Sequence, residues 1–98
     1  MESKILESKI RSIAVQYLRS FYSIHILKIQ LKSKCFFCSH VEYAFKTLAA
    51  PYQKIINNDF FYQDYPGWWK SIYKKSDYLK LKRTASKKFL EAFYEFES

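Results

Sequence analysis

Glycine occurs once and proline twice in these 98 residues. A single glycine excludes the glycine-rich loops that cradle phosphates, and it argues against a sheet protein built on many tight hairpins. Long apolar runs are missing too. The longest uncharged stretch is Ser20 to Leu27, far short of the ~20 residues that cross a bilayer. Met1-Glu2-Ser3-Lys4 opens into a mixed amphipathic stretch, so no secretory leader is expected. Catalytic groupings are also lacking: no Ser/His/Asp set in a supporting motif and no carboxylate cluster. The sequence therefore points away from an enzyme and calls for no cofactor.

What is present is apolar, aromatic and basic. Apolar residues make up 49% of the chain and aromatics 20%, with a formal net charge of +8 and a pI near 9.5. So much apolar side chain excludes a disordered polybasic tail, and the length suits one domain. The expected fold class is all-α, a small helical bundle in a soluble, cytoplasmic, basic protein with no membrane partner. Fourteen of the 17 basic residues are Lys, a bias that AT-rich codons produce in any protein, so position says more than total. Residues 74–88 hold Lys74, Lys75, Lys80, Lys82, Arg83, Lys87 and Lys88 against the lone Asp77. Residues 89–98 hold Glu91, Glu95 and Glu97 and no base.

Apolar positions from Ile5 to Leu31 recur at three- and four-residue steps, which predicts a long amphipathic helix within residues 1–34. Ser3 with Glu7 is a loose capping signal. Around Tyr17 to Ile29 more than one face is apolar, so this helix either packs on two sides or pairs with another molecule, including a second copy. Ser33 to Ser39 breaks the pattern and reads as a connector to a helical unit over residues 40–98. There a second helix is expected over His40–Leu48, with Val41, Ala44, Phe45 and Leu48 inward. A third is led by Pro51, with Tyr52, Ile55, Ile56 and Phe60 inward. Pro66-Gly67 makes a turn, Trp68–Tyr73 a short helix, and Ser76 to about Phe96 a long one. The inward face of the last is Tyr78, Leu81, Ala85, Phe89, Ala92/Phe93 and Phe96.

A short helix joined to a longer one with a basic outer face is the layout of a helix-turn-helix. Trp68, Trp69, Ile72 and Tyr73 are available to brace the second helix. The stretch Ala44–Phe61, then Trp68–Tyr73, then Lys75–Leu90 resembles sigma factor region 4, in the reduced form found in small phage and low-GC bacterial transcription regulators. The matching positions are Leu48, Pro51, Ile55-Ile56, Trp68-Trp69, Ser76, Tyr78, Leu81, Ala85 and Phe89, about half of the chain. The resemblance implies a helix-turn-helix that contacts promoter DNA, RNA polymerase, or both. It places Lys75, Ser76, Lys80, Arg83, Thr84 and Lys87 on the DNA, with Arg83 the residue suited to a bidentate grip on guanine. Two positions depart from the family: Lys74 stands where a small capping hydroxyl is common, leaving Ser76 to cap instead, and Asp77 stands where a phosphate or base contact is expected.

Other readings remain open on the residues. Cys35-x-x-Cys38 with His40, and His25 as a fourth group, offers the ligand types of a zinc site; two free thiols in a reducing compartment is the alternative. Tyr62, Tyr65, Trp68, Trp69 and Tyr73 can stack nucleobases or simply brace neighbouring helices. A helical protein-interaction module, or a basic protein associated with RNA or the ribosome, would share the same composition.

Overall fold

The computed structural model describes residues 2–29 and 31–97, and all of its regular structure is helical. Four helices follow in chain order: α1 (Glu2–His25), α2 (Lys32–Lys46), α3 (Ala50–Ile56) and α4 (Lys75–Glu97). A π-helical turn, Asn57–Phe61, continues α3. None of the described helices is long and apolar enough to cross a membrane.

One apolar cluster holds these elements together. Ile10, Ile13 and Ala14 of α1 meet Val41 and Ala44 of α2, with Leu48, Ile55, Ile56 and Phe60 from the middle of the chain. Ala85, Phe89, Leu90 and Phe93 of α4 close it. Most inward positions expected from spacing in α2, α3 and α4 pack here, with Phe45, Tyr52, Leu81 and Ala92 half-buried at the margin and Tyr78 buried outside the cluster. Ser3 as a cap and Phe96 as an inward residue lie outside the described side chains.

Helix boundaries depart from expectation in four places, each for a local reason. α1 stops at His25, not near Leu31. Lys28 adopts a left-handed φ of 60°, and the Ile29 N–H donates to the Ser23 carbonyl at 2.9 Å. The turn therefore carries no glycine or proline to announce it. Secondly, Ser33–Ser39 is not a connector: it lies inside α2, which starts at Lys32. Cys38 is buried on the core side of that helix, where a free thiol behaves as a small apolar group.

The third departure is Trp68–Tyr73, which forms turns and no helix. Its backbone bonds are mostly of the tight three-residue kind, such as Lys70 N–H to the Gly67 carbonyl at 3.1 Å and Ile72 N–H to the Trp69 carbonyl at 2.9 Å. Six residues after Pro66-Gly67 are too few to repay helix nucleation. Side chains fix the segment instead. The Trp68 indole N–H donates to Asp59 Oδ1 at 2.8 Å, and Trp69 stacks on Tyr78 with centroids 4.2 Å apart and rings 5° from parallel. Ile72, expected to brace, is half exposed.

At its start α4 is one residue longer than expected. Lys74 occupies the cap position, its carbonyl accepting from the Tyr78 N–H at 2.9 Å, and Ser76 sits within the first turn, not at the cap. Pro51 does lie in the first turn of α3, where its missing N–H costs nothing.

A candidate nucleic-acid interface on α4

The core grips α4 from one side, through Tyr78, Ala85, Phe89 and Phe93, and so decides which residues look outward. Relative to Ser76, residues 80, 83 and 87 are offset by roughly 40°, −20° and 20° around a helix of 3.6 residues per turn. Ser76, Lys80, Arg83 and Lys87 consequently form a single stripe, and all four are exposed. The stripe runs about 16 Å along the axis, comparable with the ~12 Å width of the major groove. Leu79, 51% exposed, sits beside it and adds an apolar group suited to a thymine methyl.

The other two expected contacts fall off this line. Lys75 is exposed but turned about 100° to one side, and Thr84 is about 80° to the other and half-buried. Asp77 is exposed and also lies away from the stripe. Lys88 lies next to Glu91 and Glu95 in a shallow depression lined also by Tyr52, so the basic face narrows toward the acidic end of the helix.

Lys82 belongs to the interior of the network under the stripe. Its Nζ lies 3.3 Å from Glu7 Oε1 and 3.4 Å from Asp59 Oδ2, with the side chain only 19% exposed. Glu7 also pairs with Arg11 at 3.4 Å. Asp59 accepts from Trp68 through Oδ1 and from the Tyr78 hydroxyl through Oδ2. Burial, reinforced by that bond to a carboxylate, pushes the Tyr78 phenol well above its ordinary range, so it stays a donor. Two carboxylates are thus absorbed by Lys82 and Arg11, away from the stripe. Spacing alone did not reveal Lys82 as an inward residue; an isolated Lys on the apolar side of a helix, with a carboxylate elsewhere to meet it, was the available signal.

Between the stripe and the first turns of α1 lies an open cavity of about 290 Å³, lined by Leu6, Glu7, Leu79, Lys80, Lys82, Arg83 and Ser86. Ser86 is 1% exposed and its Oγ has no hydrogen-bond partner. A buried hydroxyl without a partner costs about 1–3 kcal/mol, and Ala is the better helix former. Ser86→Ala is therefore expected to raise the melting temperature by about 4–8 °C per kcal/mol recovered. A fall on differential scanning calorimetry would show that the hydroxyl has a structural partner after all.

The candidate zinc ligands are not brought together. Cys35, Cys38 and His40 all lie on α2, and Cys38 and His40 project roughly 160° apart around it. The His40 Nε2–H donates to the Phe93 carbonyl, and its ring stacks on Phe93 with centroids 4.1 Å apart. Burial, aided by Glu42, raises the Cys38 thiol above its ordinary range, which disfavours the thiolate that zinc requires. His25 stacks instead on Phe21, at 4.2 Å. Among the described residues no three His, Cys, Asp or Glu side chains converge on a metal position.

The aromatics beside the Pro-Gly turn divide. Trp68 and Trp69 are half-buried against Asp59 and Tyr78, whereas Tyr62 and Tyr65 are exposed, Tyr65 by 79%. No protein-family model, curated protein or solved structure matches this chain.

Proposed function

We propose that this chain is a DNA-binding regulator of transcription that uses α4 as its recognition helix. The observation that carries the reading is the stripe Ser76–Lys80–Arg83–Lys87, exposed along one line of a helix whose opposite face is locked into the core. Cations held in a row on a rigid rod suit a phosphate backbone, whose binding is driven by counterion release. The resemblance of residues 44–90 to sigma factor region 4 supports the same helix in the same role, and adds RNA polymerase as a second partner. Where a helix-turn-helix has a short bracing helix, this chain has a set of turns pinned by Trp68 and Trp69.

Within the stripe the roles differ. Lys80 and Lys87 are point charges for phosphates. Arg83, between them, has the planar fork that grips guanine. Ser76, in the first turn of α4, offers a hydroxyl near a helix N-terminus, where phosphate oxygens are favoured.

The test is a charge reversal. Lys80→Glu combined with Lys87→Glu is expected to weaken binding to duplex DNA by about hundredfold or more, with an unchanged helical CD spectrum because both residues are exposed. With three cations in contact, the wild-type log–log salt slope should be close to −3. Unaltered affinity in the double variant would sink the proposal. Preference for RNA over duplex DNA would transfer the stripe to a ribonucleoprotein role.

A further inference from the structure

At the far end of α1 from the stripe, the turn into α2 exposes aliphatic side chains. Ile26, Leu27, Ile29 and Leu31 are all about half exposed or more, and Phe36, one turn into α2, is 62% exposed. Isolated exposed apolar residues need no explanation, but a sequence-contiguous set of them does. Around them stand Lys28, Lys32 and Lys34, the last donating to Ser23 Oγ at 3.1 Å. Between Glu7 and Glu42 the sequence contains no acidic residue at all. Along the chain, the charged side chains that flank these apolar residues are therefore all basic.

We infer that this turn, contrary to the expectation of no membrane partner, docks onto an anionic lipid surface without spanning it, with the aliphatic side chains entering the headgroup boundary and the lysines meeting lipid phosphates. Each feature selects that occupant. Nucleic acid takes single apolar wedges between base steps, whereas the acyl boundary of a bilayer takes four aliphatic groups side by side. A second copy would bring the lysine rims of two identical patches together, which like-charge repulsion opposes. A negatively charged leaflet supplies the apolar boundary and the countercharge at once. The turn is also separate from the DNA-facing stripe: Glu7 touches Lys82 of α4, and His25 lies about 27 Å further along α1. The two surfaces can therefore be tested independently, and this inference does not rest on the DNA-binding reading.

The experiment is co-sedimentation of the full chain with phosphatidylcholine vesicles, with and without phosphatidylglycerol. The wild type is expected to sediment with the phosphatidylglycerol-containing vesicles and to stay in solution with phosphatidylcholine alone. Leu27→Ser with Ile29→Ser should lower the partition coefficient by about tenfold or more; both side chains are exposed, so the CD spectrum should not change. Lys28→Ala with Lys32→Ala should weaken binding in a salt-dependent way, while Lys80→Glu with Lys87→Glu should leave it intact. Failure of the wild type to sediment would overturn the inference, and so would full binding by the Leu27/Ile29 variant. A dimer on size exclusion that this variant dissociates, without vesicle binding, would assign the turn to a second copy.

Discussion

Asp59→Ala is expected to lower the melting temperature by roughly 12–40 °C, given 4–8 °C per kcal/mol for a domain of this size. The carboxylate is 7% exposed and serves three partners from two other parts of the chain. It accepts from the Trp68 indole at 2.8 Å, accepts from the Tyr78 hydroxyl, and pairs with Lys82 Nζ at 3.4 Å. Removing it leaves an indole N–H and a phenol without their acceptor. It also leaves Lys82 with Glu7 alone, its Nζ lying over the rings of Phe60 at 5.3 Å and Tyr78 at 5.7 Å. Breaking a buried ion pair from one side costs about 3–5 kcal/mol.

The mechanism can be separated from a mere loss of packing. Adding Lys82→Met to Asp59→Ala should recover part of the stability, because it removes a charge that has lost one of its two carboxylates and supplies an apolar side chain of similar reach. Asp59→Asn should fall between wild type and Asp59→Ala, since the amide oxygen still accepts from Trp68. Trp68 and Trp69 both sit in this network, so tryptophan emission reports it directly. A shift of only a few degrees for Asp59→Ala, with unaltered emission, would mean that the 62–74 segment is held by other contacts.

Phe89→Ala is the second large effect. Phe89 is fully buried at the centre of the cluster, with Phe61 edge-on at 6.2 Å and Phe93 at 6.3 Å. Truncation there costs about 3–5 kcal/mol through lost burial and the cavity left behind. Domains of this size have about 5–15 kcal/mol in all, so urea denaturation should show a midpoint far below wild type or no folded baseline. Phe89→Leu, nearer in volume, should cost less than about 1.5 kcal/mol. Similar midpoints for the two variants would contradict the placement of Phe89 at the middle of the core.

The two predictions rest on features of unequal visibility in the sequence. Phe89 belongs to the Tyr78–Ala85–Phe89–Phe93 spacing, which is readable because helical period and burial coincide there. The same spacing leaves Ser76, Lys80, Arg83 and Lys87 on the outer line. Asp59 is different: its partners lie 9, 19 and 23 residues away, and nothing local couples them. The first half of α2 is hidden in the sequence because Ser33–Ser39 interrupts the aliphatic period and reads as a connector. Counted as apolar, Cys38 extends the series Val41, Ala44 and Leu48 by one turn toward the N-terminus. The end of α1 was obscured because the apolar period runs on through Leu27 and Leu31, while the residue that takes the left-handed backbone is a lysine. At Trp68–Tyr73 the local signal suggested a helix, and the anchors on Asp59 and Tyr78 decided otherwise.

The most direct measurement of the central claim is a set of ¹⁵N–¹H spectra of the wild type titrated with duplex DNA. The amides of Ser76, Lys80, Arg83 and Lys87 should move most, together with the Arg83 side-chain N–H groups. Residues of the turn from Ile26 to Leu31 should stay in place. Perturbations centred on that turn or on the Tyr62–Tyr65 segment, with the α4 stripe unmoved, would contradict the assignment of α4 as the recognition helix.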